Sequence, residues 1–186
     1  SYGYPARVIF TKKIIRARAP DGWRWCRPPN LNKGAEMRAL MVLPHLPRVG
    51  SLIDIGAGTM ELFRKLPIAV KYTPLDIVRF SNDTIIADLN QNQFPAGYWE
   101  MGTLLGVLEY IHDGLGLLKN LRSAVGQLYI IYDIVSCDTG TNIEERRSCG
   151  YVNDYSVTNL SALLKEANWD ITSIKNSNDQ VLVSAQ

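Results

Sequence analysis

Ser51-Leu52-Ile53-Asp54-Ile55-Gly56-Ala57-Gly58-Thr59-Met60 is the most informative stretch of the chain. It reads as a short apolar strand, Ser51–Ile55, running straight into a glycine turn. Glycines placed after a strand let the chain turn tightly and let a ligand touch backbone, and a following helix start offers free N–H groups. Met60–Leu66, closed by Pro67, has the composition of that helix. Asp54 stands two residues before the first glycine, at the strand end where nucleotide ligands bind in open α/β sheets. Asp76 follows 22 residues later at the close of the next apolar run, a spacing suited to the two hydroxyls of a ribose. Taken singly, Asp54 is a loop-bracing acid and Asp76 a turn residue. Together with Asp88, which closes a third run, they put three acids on one edge of a sheet.

Working outward, Ala69–Leu75, Thr84–Ala87, Met101–Leu105 and Gln127–Val135 read as further strands. Helical composition covers Asn32–His45 and His112–Ala124. It also covers Ser156–Asn168, with Asn153, Asp154 or Ser156 as N-cap. Trp169–Ile174 and Gln180–Ser184, joined by Asn176–Asp179, read as a closing hairpin, and Arg7–Phe10 as a short extra strand. Strands alternating with helices predict a three-layer α/β/α sandwich around a seven-stranded, mostly parallel sheet with an antiparallel last strand. Only seven residues, Ile77–Asp83, separate the second and third strands. A parallel crossover usually needs about a dozen, so either the second helix is nearly missing or the strand ends lie a few residues away.

The chain has 186 residues and 20.8 kDa, the size of one domain, with 46% hydrophobic and 20% charged residues. That balance argues against general disorder, and no apolar run is long enough to span a bilayer. Three widely spaced cysteines, Cys26, Cys137 and Cys149, predict free thiols and a cytoplasmic setting. Charge is uneven. Residues 1–50 carry ten Lys/Arg against Asp21 and Glu36, whereas the remainder carries ten against sixteen acids. Trp23-Arg24-Trp25 adds stacking side chains to this basic stretch. Residues 1–32 therefore read as a basic, aromatic extension and 33–186 as the main domain. The arm would either meet an anionic, sugar or nucleic-acid partner or lie on the acidic body of the same chain.

Over roughly residues 33–186 the pattern resembles the class I S-adenosylmethionine-dependent methyltransferases. Asp54-Ile55-Gly56-Ala57-Gly58 is similar to their first motif, Asp76 to their ribose-binding acid, and Ala87-Asp88-Leu89 to their adenine-contacting segment. Gly106-Val107-Leu108-Glu109-Tyr110-Ile111-His112-Asp113 resembles the segment after their fourth strand, and the last helix and hairpin resemble their ending. The resemblance implies S-adenosyl-L-methionine as cofactor, contacted by Asp54, Gly56, Ala57, Gly58, Asp76, Ile77, Asp88, Leu89, Leu105 and Gly106. It implies methyl transfer to a small-molecule or glycan-type acceptor, at oxygen. Met60 departs from the family pattern where a third glycine is usual, as does the shortened second helix.

A hydroxyl acceptor needs a base, and His112 and Glu109 after the fourth strand are the catalytic candidates. Glu109 could instead hold the turn by accepting backbone N–H groups, and His112 could be a helix-start residue facing water. Tyr151, Tyr155 and the loop Ser136–Gly150 would line the acceptor pocket, with Arg146 and Arg147 favouring an anionic acceptor. No metal is expected, since Asp133 lacks a neighbouring Asp-Asn pair. Glu61 stands where a dinucleotide fingerprint has its third glycine, and no Gly-Lys-Ser/Thr follows Gly58, so dehydrogenase and P-loop readings fail. Leu105–Leu108 lacks the Asp/Asn-Pro-Pro-aromatic signature of base-amine methylation, and Arg27-Pro28-Pro29-Asn30 lies too early to replace it. Nucleic acid is thus not favoured as substrate. Two alternatives remain: a catalytically degenerate binding module, and an RNA-directed enzyme using the basic arm.

Overall fold

The computed structural model describes residues 3–25, 34–135, 141–177 and 179–186. Cys26, Cys137, the Arg27–Asn30 stretch, the expected helix start at Asn32, the head of the Ser136–Gly150 loop and Asn178 of the hairpin turn lie outside them.

Seven strands form one sheet: β1 Gly50–Ile55, β2 Val70–Asp76, β3 Ile85–Ile86, β4 Trp99–Leu105, β5 Val125–Asp133, β6 Ile171–Ser177 and β7 Gln180–Ala185. Their order is β3-β2-β1-β4-β5-β7-β6, with β7 alone antiparallel to its neighbours. The chain leaves β1 towards β2 and returns to its other side at β4. The sheet order therefore reverses there and a crevice opens beyond the strand ends. β1 and β5 are apolar and buried on both faces, as central parallel strands must be. On one face Ile53, Leu104 and Ile130 pack with α4 (Gly114–Arg122) and α6 (Val157–Glu166). On the other, Leu52, Met101 and Ile131 pack against Ala39 and Val42 of α3 (Ala35–Val42). Ser156 caps α6 through a reciprocal pair of bonds with Asn159. Among the described residues no helix is long and apolar enough to cross a membrane.

Two expectations are corrected. Arg7–Phe10 is not a strand but part of α1, Tyr4–Ala17, which the short α2 (Gly22–Trp25) follows. Pro5 suits a helix start, and Val8, Thr11 and Ile14 fall at helical spacing on its buried side. That face rests on α5 (Ile143–Ser148), a partner more than a hundred residues away. The helix expected over Met60–Leu66 is only a 3-10 turn, Phe63–Lys65. Met60 is left-handed, with φ at 63°, and Pro67 stops the segment soon after, so no α-helical run fits between them. As the short spacing allowed, residues 77–84 contain no helix; Ser81 N–H to the Thr84 hydroxyl, 3.0 Å, closes a turn instead. With so short a return, β3 pairs only Leu75 with Ile85 and Asp76 with Ile86.

Candidate functional site

All ten residues expected at the cofactor line one crevice at the carboxyl ends of β1, β2 and β4. Register explains its floor. Asp54 lies directly opposite Thr103 across the β1–β4 ladder, and its carboxylate accepts from the Thr103 hydroxyl at 2.6 Å. Tyr72 of β2 donates to the other oxygen at 2.6 Å. Asp54 thus ties three strands together at the ligand edge. Burial pushes its carboxyl above the usual range, against both hydroxyl bonds.

Asp76 closes β2. One of its oxygens accepts the Gly58 N–H at 2.8 Å and the other the Val78 N–H at 3.0 Å. Those bonds orient the carboxylate, while burial raises its pKa. A Cβ built on Gly58 would meet no atom within 4 Å, so this glycine opens onto free space in the crevice. Gly56 is confined differently. Its φ is 77°, and a Cβ there would lie 2.3 Å from Val107 Cγ2. Gly56→Ala is therefore expected to lose about 2 kcal/mol in urea unfolding, through left-handed strain plus the clash with Val107. An unchanged midpoint would mean the turn is looser than drawn.

Four N–H groups of this loop are already committed. Gly56 and Ala57 donate to the Leu75 carbonyl at 2.7 and 3.0 Å, Gly58 to Asp76, and Met60 to the Ala57 carbonyl at 2.8 Å. With those four donors engaged and no α-helix following, the loop is poorly equipped to hold a phosphate. The charges around it agree. Asp21, Asp54, Glu61, Asp76 and Asp88 line the crevice, against Arg38 as the single cation among its described lining residues. Asp88 caps the turn Leu89–Gln91 by accepting the Asn90 N–H at 2.9 Å. Arg38 Nε donates to the Leu105 carbonyl at 3.0 Å beside Gly106.

The two catalytic candidates are placed elsewhere, and this is a correction: neither His112 nor Glu109 lines the crevice. His112 Nε2 bonds the Ala19 carbonyl at 3.0 Å and so ties the segment after α1 to the turn after β4. Glu109 is 1% exposed and accepts the Asp133 N–H at 2.8 Å through Oε1. Its other oxygen is buried with no partner among the described residues. Desolvation, then the neighbouring Asp133, raise its pKa to about 7.

Tyr151 and Tyr155 also miss the crevice; Tyr151 donates to Asp133, and Tyr155 packs on the Tyr132 ring. Arg146 and Arg147 are bound to Asp154 and to backbone carbonyls, so they are not anion receptors. The basic arm is partly neutralised in the same way. Lys12 pairs with Glu144 at 3.7 Å, and Arg24 pairs with Asp21 at 3.1 Å while donating to the Ser148 carbonyl.

Sequence reasoning missed three parts of this site. Arg38 carries no motif and reaches the crevice only because α3 covers that face. Tyr110 lay unassigned inside a quoted motif. Trp25 and residues 19–21 form one crevice wall through long-range packing.

Sheet order, the switch between β1 and β4, and acids at the ends of β1 and β2 define the fold of class I S-adenosylmethionine-dependent methyltransferases. Solved structures superpose on it at low identity. CalO1, a methyltransferase in calicheamicin biosynthesis solved with S-adenosylhomocysteine, is 15% identical with a TM-score of 0.64, over 81% of this chain and 53% of that one. The Burkholderia thailandensis 1,6-didemethyltoxoflavin-N1-methyltransferase, with its acceptor and S-adenosylhomocysteine bound, is 14% identical with a TM-score of 0.63, over 97% and 86%. TnmH is 16% identical with a TM-score of 0.69, over 98% and 68%. The chain thus spans about half the length of CalO1. No protein-family model matches the chain, and no curated protein sequence does.

Proposed function

We propose that the chain binds S-adenosyl-L-methionine in this crevice and transfers its methyl group to a small-molecule acceptor, at oxygen. The observation that carries this is the crevice chemistry: an acid at the end of β2, an acidic majority, and four glycine-loop donors already spent. Such a site disfavours the pyrophosphate of a dinucleotide and suits a cationic adenosyl ligand. When bound, that cofactor supplies an electrophilic methyl on a sulfonium.

The chain's own part is binding and orientation. Asp76 would accept the ribose hydroxyls, Asp88 and Leu89 would face the adenine, and Arg38 beside Gly106 would meet the amino-acid carboxylate. His112 and Glu109 stand outside the lining. Catalysis would therefore rest on proximity and alignment rather than on a base from either residue. A binding module without turnover is the second reading, favoured by the missing helix after the glycine loop. Calorimetric binding of S-adenosylhomocysteine with no methyl transfer to any acceptor would be its signature.

The test at residue level is Asp76→Ala. Loss of a charged acceptor should weaken S-adenosylhomocysteine binding by about ten- to a hundredfold, 1–3 kcal/mol. Equal affinity in the variant would remove Asp76 from the cofactor site.

A further inference from the structure

Part of the crevice lining is unlike the acidic strand ends. Ile14, Pro20, Trp25, Tyr110 and Val152 form this wall, and the Trp25 and Tyr110 rings meet edge to face with centroids 4.5 Å apart. The wall is built, not incidental. His112 holds the Ala19 carbonyl, Arg24 fixes Asp21 and reaches the Ser148 carbonyl, and Tyr151 backs Tyr110 at 5.3 Å. Burial raises the Tyr110 phenol, which keeps this side chain uncharged at neutral pH.

Resting on the methyltransferase reading, we infer that this wall receives an uncharged, planar aromatic acceptor against Trp25 and Tyr110. Charge decides against an anionic one. Five acids line the crevice, and its one described lining cation, Arg38, already donates to the Leu105 carbonyl. Arg24, next to Trp25, is held by Asp21 and the Ser148 carbonyl, and Arg146 and Arg147 by Asp154. A carboxylate entering there would meet an excess of acids, and the cations around it are already engaged. A flat apolar ring would bury its faces and edges on indole and phenol.

The experiment uses a matched pair of fluorescent probes, 2-naphthol and 6-hydroxy-2-naphthoate, titrated into the whole chain. Each titration is run with and without saturating S-adenosylhomocysteine, whose own binding is measured by calorimetry. Failure of S-adenosylhomocysteine to bind overturns the cofactor proposal, while the acceptor inference is still read from the titrations without it. Support requires 2-naphthol to bind at least about tenfold more tightly than the naphthoate. It also requires Trp25→Ala to weaken 2-naphthol about tenfold, while Trp25→Phe stays within about threefold of the parent. Equal or tighter naphthoate binding overturns the inference. So does binding of neither probe, or unchanged 2-naphthol affinity in a Trp25→Ala chain whose circular dichroism is native. The probe ratio on the unaltered chain decides the matter even where a variant does not fold.

Discussion

Arg146→Met is expected to destabilise the protein by about 3–5 kcal/mol in urea unfolding, the largest loss foreseen for any single substitution here. Arg146 is 6% exposed and serves four acceptors at once. Nε reaches Asp154 at 2.8 Å, Nη1 the Asp133 carbonyl at 2.8 Å, and Nη2 the Tyr132 hydroxyl at 3.0 Å and the Asn153 carbonyl at 3.1 Å. Its guanidinium also lies 4.9 Å from the Tyr151 ring centre and 5.8 Å from that of Tyr132. Methionine keeps the stem but takes this donor from the Asp133 and Asn153 carbonyls, leaving Asp154 with only Arg147 and the Tyr132 hydroxyl with only the Tyr155 N–H as donors. Arg146→Lys should recover only a minor part, because an ammonium cannot fork to several acceptors in a plane. A loss under about 1 kcal/mol for Arg146→Met would show that water replaces the guanidinium at no cost.

Glu109→Gln should do the opposite, and only above acidic pH. The pKa of the folded carboxyl is raised to about 7 from an ordinary 4.5. A group whose folded value is raised favours the native state most below its unfolded value, and that advantage is lost as pH rises through the folded one. Between pH 4.5 and 7, then, the parent protein loses about 2–4 kcal/mol through this side chain. Glutamine keeps the Asp133 N–H bond and cannot ionise. Denaturation at pH 5 should find the two proteins close, and at pH 8 the variant more stable by that amount. Parallel stability curves from pH 5 to pH 8 would refute the burial of an unpaired charge at Oε2.

Much of this was legible in the residues. Period and punctuation located β1, β2, β4, β5 and the closing hairpin to within a few positions, because buried parallel strands read as apolar runs wherever they sit. Asp54, Asp76 and Asp88 were legible as a group for a related reason: each closes an apolar run, and the ends of parallel strands share one edge. The seven-residue gap before the third strand already signalled a stunted crossover, and β3 is correspondingly two residues long.

Other features depended on contacts far apart in sequence. Val8, Thr11 and Ile14 carry a helix signal too weak to outweigh a β-branched run, and only the face of α5 makes α1 the better solution. His112 and Glu109 occupy the expected place along the chain. Whether a side chain after β4 turns towards ligand or towards protein, however, is set by what packs above it. Here the Ala19 carbonyl takes His112, and the Asp133 amide takes Glu109.

The amino-acid order alone determined the strand ladder, the glycine turn and the row of acids, since these follow from local periodicity and from where each run stops. Tertiary structure alone decided which cations are free, which aromatic rings wall the crevice, and that the amides of Gly56, Ala57, Gly58 and Met60 are already bonded. Those outcomes turn on desolvation and pairing between segments as distant as Arg24 and Ser148, and no local pattern encodes which partner a buried charge will find.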